Sequence, residues 1–218
     1  VLVTGSTGAI NQPVCRHLLA RGHTVRYVRE AVREFKVERL VLSSSVQAIS
    51  GHGFPDRSIK IEDGPAPTNH YALTKVWAEI SGELMARCHN ISVISVRIGW
   101  LLRNRSEAGN LLSGKVGPNV FFSHNDAQRF YERCVASEKP YPGQSEVLFA
   151  TSKPFTAERL DMEPAKRIIG YAPRDTWPEG LPFSVEDSSE VDSGPKESPH
   201  DTLLWGPPIE GGKIWEFE

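Results

Sequence analysis

The sequence is poor in cysteine, and the few cysteines it has are widely spaced. Three occur in 218 residues, at Cys15, Cys88 and Cys134. They form neither a C-x-x-C pair nor an even set, so the sequence predicts no disulfide framework and no metal site. This cysteine usage fits a reducing compartment, and we therefore expect a cytoplasmic protein.

The sequence also lacks an excess of positive charge and any long apolar run. The 25 Lys and Arg residues against 27 Asp and Glu give a formal net charge of -2. No basic run interleaved with aromatic residues is present to attract a phosphate polymer, so nucleic acid is not an expected partner. No apolar stretch approaches the roughly 20 residues of a membrane span, so we expect a soluble protein without membrane contact.

What the sequence does contain is a regular alternation of strand and helix patterns. Strand patterns occupy residues 1–4, 23–26, 39–43, 91–97 and 146–150. Helix patterns occupy residues 27–37, 71–89, 126–135 and 161–169, and another ends at Gly22. This alternation predicts an α/β fold with a doubly wound parallel sheet of the Rossmann type.

The alternation has one break, between residues 23–26 and the helix pattern that begins at Tyr27. A strand leads directly into a helix there, and two strands and a helix of the doubly wound order are absent. We expect the first strand and the Leu40 strand to be separated by an empty slot of about 4.8 Å. We therefore predict that about 40 to 50 residues, one to two βα units, are missing near Arg26 and Tyr27.

A glycine turn follows the first strand. Gly5 and Gly8 lie in the segment Thr4 to Ile10, between a strand pattern and a helix pattern. In that context a glycine turn lets backbone N–H groups and a helix N-terminus approach a pyrophosphate. A purely structural turn has the same sequence context, and Asn11 stands where a third glycine would be expected.

Tyr71 and Lys75 are four residues apart in a helix pattern, which places the phenol and the ammonium on one face. A nearby cation favours the phenolate and brings the pKa of a tyrosine down from about 10 toward neutrality. Such a pair suits proton transfer to or from an alcohol. An ordinary amphipathic helix, with Tyr71 on the core and Lys75 in solvent, has the same spacing.

The serine triplet Ser43 to Ser45 ends a strand pattern, at the edge where open α/β sheets bind ligands. A hydroxyl there can donate a hydrogen bond to a substrate oxygen that gains charge during a reaction. A helix cap or a strand-ending turn is the alternative use of such serines.

Together and in this order, the glycine turn, the serine triplet and Y-x-x-x-K resemble the extended short-chain dehydrogenase/reductase (NAD-dependent epimerase/dehydratase) family. The likeness continues through Arg97-Ile98-Gly99 and through residues 122–126 and 170–175, which most resemble uronate dehydrogenase-like proteins. It covers about residues 1–183.

The resemblance implies roles for individual residues. Tyr71 is implied as the general base or acid, Lys75 as the charge that tunes it, and Ser45 as the hydroxyl that orients the reacting oxygen. The implied cofactor-binding residues are Gly5, Thr7, Gly8, Ile10, Tyr71, Lys75 and Ile98. The implied substrate-binding residues are Ser45, Val46 and Gln47, to which we add Trp100, a pocket wall or a core residue.

The implied function is that of an NAD- or NADP-dependent oxidoreductase acting on a small, sugar-like molecule, with an epimerase or a non-catalytic dinucleotide-binding sensor as alternatives. The acidic residue that would select NAD by binding the ribose 2′-hydroxyl belongs to the missing stretch, and Arg26 is a faint sign of NADP.

The resemblance also implies a homodimer formed through the helices at residues 27–37 and 71–89. In uronate dehydrogenases an arginine in the segment after R-I-G holds the carboxylate of the substrate. The matching position in this sequence lies near Gly109, which argues against a uronate substrate.

We expect residues 1–183 to form a dinucleotide-binding domain, with substrate-lobe segments at about 100–125 and 153–183. Residues 184–218 read as a tail, whose apolar end at Leu203 to Phe217 is predicted to pack on the domain or on a partner subunit. His124 and Asp126 could form an acid/base pair, but a helix cap begun by Ser123 is the preferred interpretation.

Overall fold

The computed structural model describes residues 2–3, 16–18, 20–22, 37–53, 57–113 and 117–184. The glycine turn with Gly5, Thr7, Gly8 and Ile10, the predicted break at Arg26 and Tyr27, and the tail from residue 185 onward lie outside the described residues.

The described strands form one parallel sheet in the order β1-β2-β3-β4. The strands are β1 Leu2–Val3, β2 Arg39–Ser45, β3 Ser92–Ile98 and β4 Ser145–Ala150. Ser45 pairs with Ile98, and Ile98 pairs with Ala150, so three strands end level with one another. This shared carboxyl edge is where a parallel α/β sheet presents its ligand site.

The structure contradicts the expectation of an empty slot between the first strand and the Leu40 strand. Leu2 pairs directly with Leu40 and Val3 with Val41, so β1 and β2 are hydrogen-bonded neighbours. In a doubly wound sheet the second and third strands lie on the far side of the first one. Strands lacking from that position would therefore shorten the sheet at one edge and would not open a gap inside it.

Helices cover both faces of the sheet. They are α1 His70–His89, α2 Arg105–Ser113, α3 His124–Ala136 and α4 Glu163–Ile169, with 3-10 helices at Val46–His52, Ile61–Asp63 and Gly117–Val120. Leu40 and Val93 pack with Ala86 of α1, whereas Val41 and Ile94 belong to the core that includes Phe130 of α3. Alternate strand residues thus face opposite helix layers, as in a Rossmann-like fold.

Helix α2 was not predicted, because residues 101–120 are rich in Gly, Asn and Ser and show no clear apolar period. Helix α1 begins at His70, one residue earlier than the sequence pattern predicts. Asn69 caps this helix, since its side-chain oxygen accepts a 2.8 Å hydrogen bond from the backbone N–H of Ala72. No helix in the described part of the chain is long and apolar enough to cross a membrane.

The predicted cap of α3 is confirmed. Ser123 Oγ accepts a 2.9 Å hydrogen bond from the N–H of Asp126. The fully buried Asp126 carboxylate pairs with Arg129 and accepts hydrogen bonds from the N–H groups of Arg174 and Asp175. Asp126 therefore braces the segment after α4 against α3, which is the structural role preferred to acid/base chemistry.

Candidate active site

Ser45 is the last residue of β2 and lies at the carboxyl edge of the sheet. Its Oγ accepts a 3.2 Å hydrogen bond from the N–H of Gln47 and caps the 3-10 helix Val46–His52. Two roles were predicted for such a serine: a hydrogen-bond donor to a substrate oxygen and a helix cap. They are compatible with each other, because the cap uses only a lone pair of the hydroxyl oxygen. The cap fixes the position of Oγ and leaves the hydroxyl proton able to donate to a ligand.

Successive side chains of a strand point to opposite faces of the sheet, so Ser43 and Ser44 face different helix layers. Ser43 Oγ lies 3.3 Å from the hydroxyl of Tyr131 on α3. Ser44 Oγ instead donates to Glu79 on α1. Two of the three hydroxyls therefore hold the helix layers to β2, and Ser45 is the one at the edge.

Lys75 joins α1 to the end of β2. Its Nζ donates a 3.0 Å hydrogen bond to the carbonyl oxygen of Ser43 and lies 5.2 Å from the centroid of the Tyr71 ring. Burial lowers the pKa of the Lys75 ammonium from its ordinary value. Lys75 is thus half-buried against the sheet and differs from the solvated lysine of an ordinary amphipathic helix.

Tyr71 lies in the first turn of α1 and is 51% exposed. Its backbone carbonyl accepts a 2.7 Å hydrogen bond from Thr74 Oγ1. Within the described ranges, no residue hydrogen-bonds to the Tyr71 hydroxyl. The phenol is therefore accessible to a ligand from outside while the cation of Lys75 sits beside its ring.

Gln47 follows Ser45 by two residues and is half-buried. Its side-chain oxygen accepts a 3.3 Å hydrogen bond from Asn69 Nδ2, and Asn69 also caps α1 two residues before Tyr71. This contact orients the Gln47 amide and leaves its NH2 group as a donor.

The other predicted site residues are more enclosed. Val46 is 5% exposed and packs with Ile49 and Phe121, and Ile98 is also 5% exposed, within the core on the α3 face. Trp100 is half-buried against the same cluster as Val46 and forms a parallel bridge with Phe121. Gly99 between Ile98 and Trp100 has no room for a side chain, because a Cβ would collide with the carbonyl of Val120.

The sequence assigned no individual role to three residues of the neighbourhood, although Ser44 and Arg97 belong to its motifs. Arg97 and Glu79 form a buried ion pair, and Ser44 donates a 2.5 Å hydrogen bond to Glu79. The signal that could have found Glu79 is its position four residues after Lys75, on the face that carries Tyr71. Arg97 and Ser44 could be linked to it only through the pairing of β2 with β3, in which they are partners.

No known family profile matches the sequence. Among curated proteins, the L-arabinose 1-dehydrogenase (NAD(P)(+)) of Haloferax volcanii is 26% identical over 165 residues, covering 68% of this chain and 63% of the relative. The NAD-dependent glucose-6-phosphate dehydrogenase of the same organism is 25% identical over 157 residues, covering 67% of this chain and 56% of that relative. The chain thus spans less than two thirds of the length of these curated relatives.

Solved structures show the same likeness at the level of the fold. A mutated uronate dehydrogenase matches with a TM-score of 0.62 and 19% identity, over 80% of this chain and 81% of that one. A UDP-glucuronic acid 4-epimerase from Bacillus cereus in complex with NAD matches with a TM-score of 0.59 and 14% identity, over 83% and 95%. The predicted resemblance is therefore confirmed at the level of the fold. The chain has the Rossmann-like fold of uronate dehydrogenases and NAD-binding epimerases, and it is distantly similar in sequence to two NAD(P)-dependent sugar dehydrogenases.

Proposed function

We propose that this protein is an NAD(P)-dependent oxidoreductase that moves hydride between nicotinamide and a hydroxyl- or carbonyl-bearing carbon of a small, sugar-like substrate. The observation that carries the proposal is the contact of Lys75 with both the Tyr71 ring and the Ser43 carbonyl, two residues before Ser45. It brings a cation and an accessible phenol to the strand end that carries a free hydroxyl proton. The activities by which the two curated relatives are named support the same reaction class and a sugar as substrate.

The described residues fit a nicotinamide dinucleotide. One N–H of the Lys75 ammonium donates to Ser43, and the remaining donors suit the ribose hydroxyls. Ile98 ends β3 beside Ser45 and Gly99 follows it, so both would lie near the nicotinamide. The glycine turn with Gly5, Thr7, Gly8 and Ile10 would hold the pyrophosphate. The bound nicotinamide would supply the hydride acceptor or donor.

The protein's own residues divide the remaining work. Tyr71 takes the hydroxyl proton during oxidation or returns it during reduction. The Lys75 cation, next to the Tyr71 ring, stabilises the phenolate that forms. Ser45 donates a hydrogen bond to the reacting oxygen, and its Oγ is held in place for this by the N–H of Gln47. Gln47 and Trp100 would contact the rest of the sugar, with Val46 supporting them from the core.

A panel of aldoses, uronates and polyols, assayed with NAD and with NADP for reduced nicotinamide, tests this function. We expect turnover with at least one sugar and loss of that turnover in Tyr71→Phe. Bound dinucleotide without any substrate-dependent change in its absorbance would overturn the proposal in favour of a sensor. An epimerase would use the same residues, and the match to the B. cereus epimerase favours testing nucleotide sugars for epimers formed without net cofactor reduction.

We further propose that residues 100–125 and 153–183 form the substrate lobe. Trp100 bridges Phe121, Lys153 bridges Thr176, and Trp177 packs edge-on against Phe121 at 5.1 Å between ring centroids. The bridges hold each segment together, and the contact of Trp177 with Phe121 joins the two segments, where a lobe could cover a bound sugar. Free Cys88 and Cys134 are consistent with the proposed cytoplasmic setting.

We also propose a homodimer that forms through α1. Leu73, Trp77, Ile80 and Leu84 are 37%, 65%, 58% and 54% exposed and follow one another at three- or four-residue steps. Such spacing places apolar side chains along one helix face, which needs cover. A second copy of α1, together with residues 27–37, would bury this stripe.

A further inference from the structure

A buried ion pair joins α1 to the sheet next to the proposed catalytic residues. Arg97 of β3 donates from Nε and Nη2 to the two carboxylate oxygens of Glu79, at 2.9 and 2.8 Å. The two side chains are only 3% and 7% exposed. This two-bond contact between planar groups fixes their orientation as well as their separation.

The same carboxylate also binds the strand that carries Ser45. Ser44 Oγ donates a hydrogen bond to Glu79 Oε1, and Ser44 is the partner of Arg97 in the pairing of β2 with β3. Glu79 therefore lies over the junction of the two central strands, one residue away from Ser45 along β2.

Glu79 continues a series along α1, since Tyr71, Lys75 and Glu79 are spaced four residues apart on one helix face. Lys75 binds the Ser43 carbonyl, and Glu79, one turn later, binds the Ser44 hydroxyl. Two successive turns of the helix are thus attached to two successive residues of β2. These attachments restrict both sliding and rotation of α1 against the strand.

Stability alone does not account for this network. Burying an ion pair costs desolvation that offsets much of its attraction, and apolar residues of similar size are often as stabilising. In addition, Arg97 Nη1 is buried without a hydrogen-bond partner in the described part of the chain. The arrangement is therefore costly in energy but strict in geometry.

We propose that Glu79 is a positioning residue, which through Arg97 and Ser44 sets α1 so that Tyr71 and Ser45 meet the same substrate oxygen. This inference rests on the proposed function. Misplacement of a reacting group by about 1 Å can lower a rate by roughly 10²-fold. A modest shift of α1 would thus be enough to slow turnover.

The test compares Glu79→Gln and Ser44→Ala with the wild-type protein. We expect kcat to fall by roughly 10-fold or more in Glu79→Gln and by less in Ser44→Ala, with nearly unchanged dinucleotide affinity. The pH dependence of kcat should stay the same, because Tyr71 and Lys75 remain together on α1. Amide hydrogen exchange across residues 70–79 should become faster.

Loss of stability must be separated from loss of position. Glu79→Gln leaves the Arg97 charge buried without its counter-charge, which destabilises the fold. The paired replacement E79L/R97M removes both charges, so we expect it to regain stability while kcat stays low. Ile168→Ala, which opens a cavity in the core on the α3 face, is the control that loses stability but keeps its kcat per folded molecule.

Wild-type kcat in the paired variant would overturn the proposal, since the network would then serve only stability. If the wild-type protein turns over no sugar, the proposed function fails instead. The exchange measurement still decides the positioning role in that case. Equal exchange of residues 70–79 in Glu79→Gln and Ile168→Ala would overturn it, and faster exchange in Glu79→Gln alone would support it.

Discussion

The Nζ atom of Lys75 donates a hydrogen bond to the carbonyl oxygen of Ser43, so the proposed cation is attached to the strand that carries the proposed oxygen-binding hydroxyl. Replacing Lys75 with Met removes this contact and the charge beside Tyr71. We expect kcat to fall by about 10²-fold or more, the range of general acid–base contributions, and dinucleotide affinity to fall as well. Lys166→Met, which removes a 69% exposed lysine of α4, is the matched control and should leave both unchanged.

The buried position of Lys75 also predicts a pH effect on stability. Burial lowers the pKa of Lys75 below the 10.5 of an unfolded lysine. Between these two pKa values the unfolded chain binds more protons, so the fold gains stability as the pH rises through this window. Urea unfolding of the wild-type protein and Lys75→Met at several alkaline pH values should show the wild type gaining relative to the variant. A constant difference would contradict the prediction.

Tyr71→Phe should separate proton transfer from binding. The change removes one hydroxyl from a ring that is already half-exposed, so we expect turnover to fall by orders of magnitude while dinucleotide affinity changes little. Tyr141→Phe removes the hydroxyl of another tyrosine, which is 50% exposed and precedes β4, at the edge of the sheet opposite Ser45, and it should retain full turnover. Retained turnover in Tyr71→Phe would refute the role of Tyr71 as base.

Asp126→Asn tests whether the acidic group at the start of α3 is a brace or part of the chemistry. Asp126 is fully buried and binds Arg129 and two backbone N–H groups. We expect a loss of roughly 2–3 kcal/mol in the free energy of unfolding, because hydrogen bonds to a charged group are lost. Activity per folded molecule should not change, and a specific loss of kcat would revive the acid/base interpretation. Glu163→Gln, at a 64% exposed carboxylate, should alter stability by less than about 0.5 kcal/mol.

Local patterns in the sequence predicted the framework well. The strand expected at residues 91–97 is β3, Ser92–Ile98, and the helix expected at 71–89 is α1, because apolar periodicity and caps are local signals. Helix α2 was missed, since its packing against the 3-10 helix Gly117–Val120 is set by contacts and not by a periodic pattern. The direct pairing of β1 with β2 was missed for a similar reason: strand order is a property of the whole sheet.

The residues of the candidate site also fall into those that the sequence could identify and those that only the structure reveals. Tyr71, Lys75 and Ser45 could be singled out because their spacing and order form a motif. The Glu79–Arg97 pair could not, since glutamate on a helix and arginine on a strand are ordinary residues until the register brings them together. Their burial is the unexpected feature, and only three-dimensional packing reveals it.

The apolar stripe on α1 gives a prediction about assembly. Trp77 is 65% exposed in the isolated chain, and together with Leu84 it would lie at the centre of the proposed helix-to-helix interface. We expect a dimeric mass by light scattering at micromolar concentration, and Trp77→Glu should shift the protein toward the monomer, because a charge would be buried without a partner. Leu112→Glu places the same charge on a 53% exposed leucine of α2 and should leave the mass unchanged. A monomeric wild-type protein would contradict the interface, as would a Trp77→Glu variant that remains dimeric.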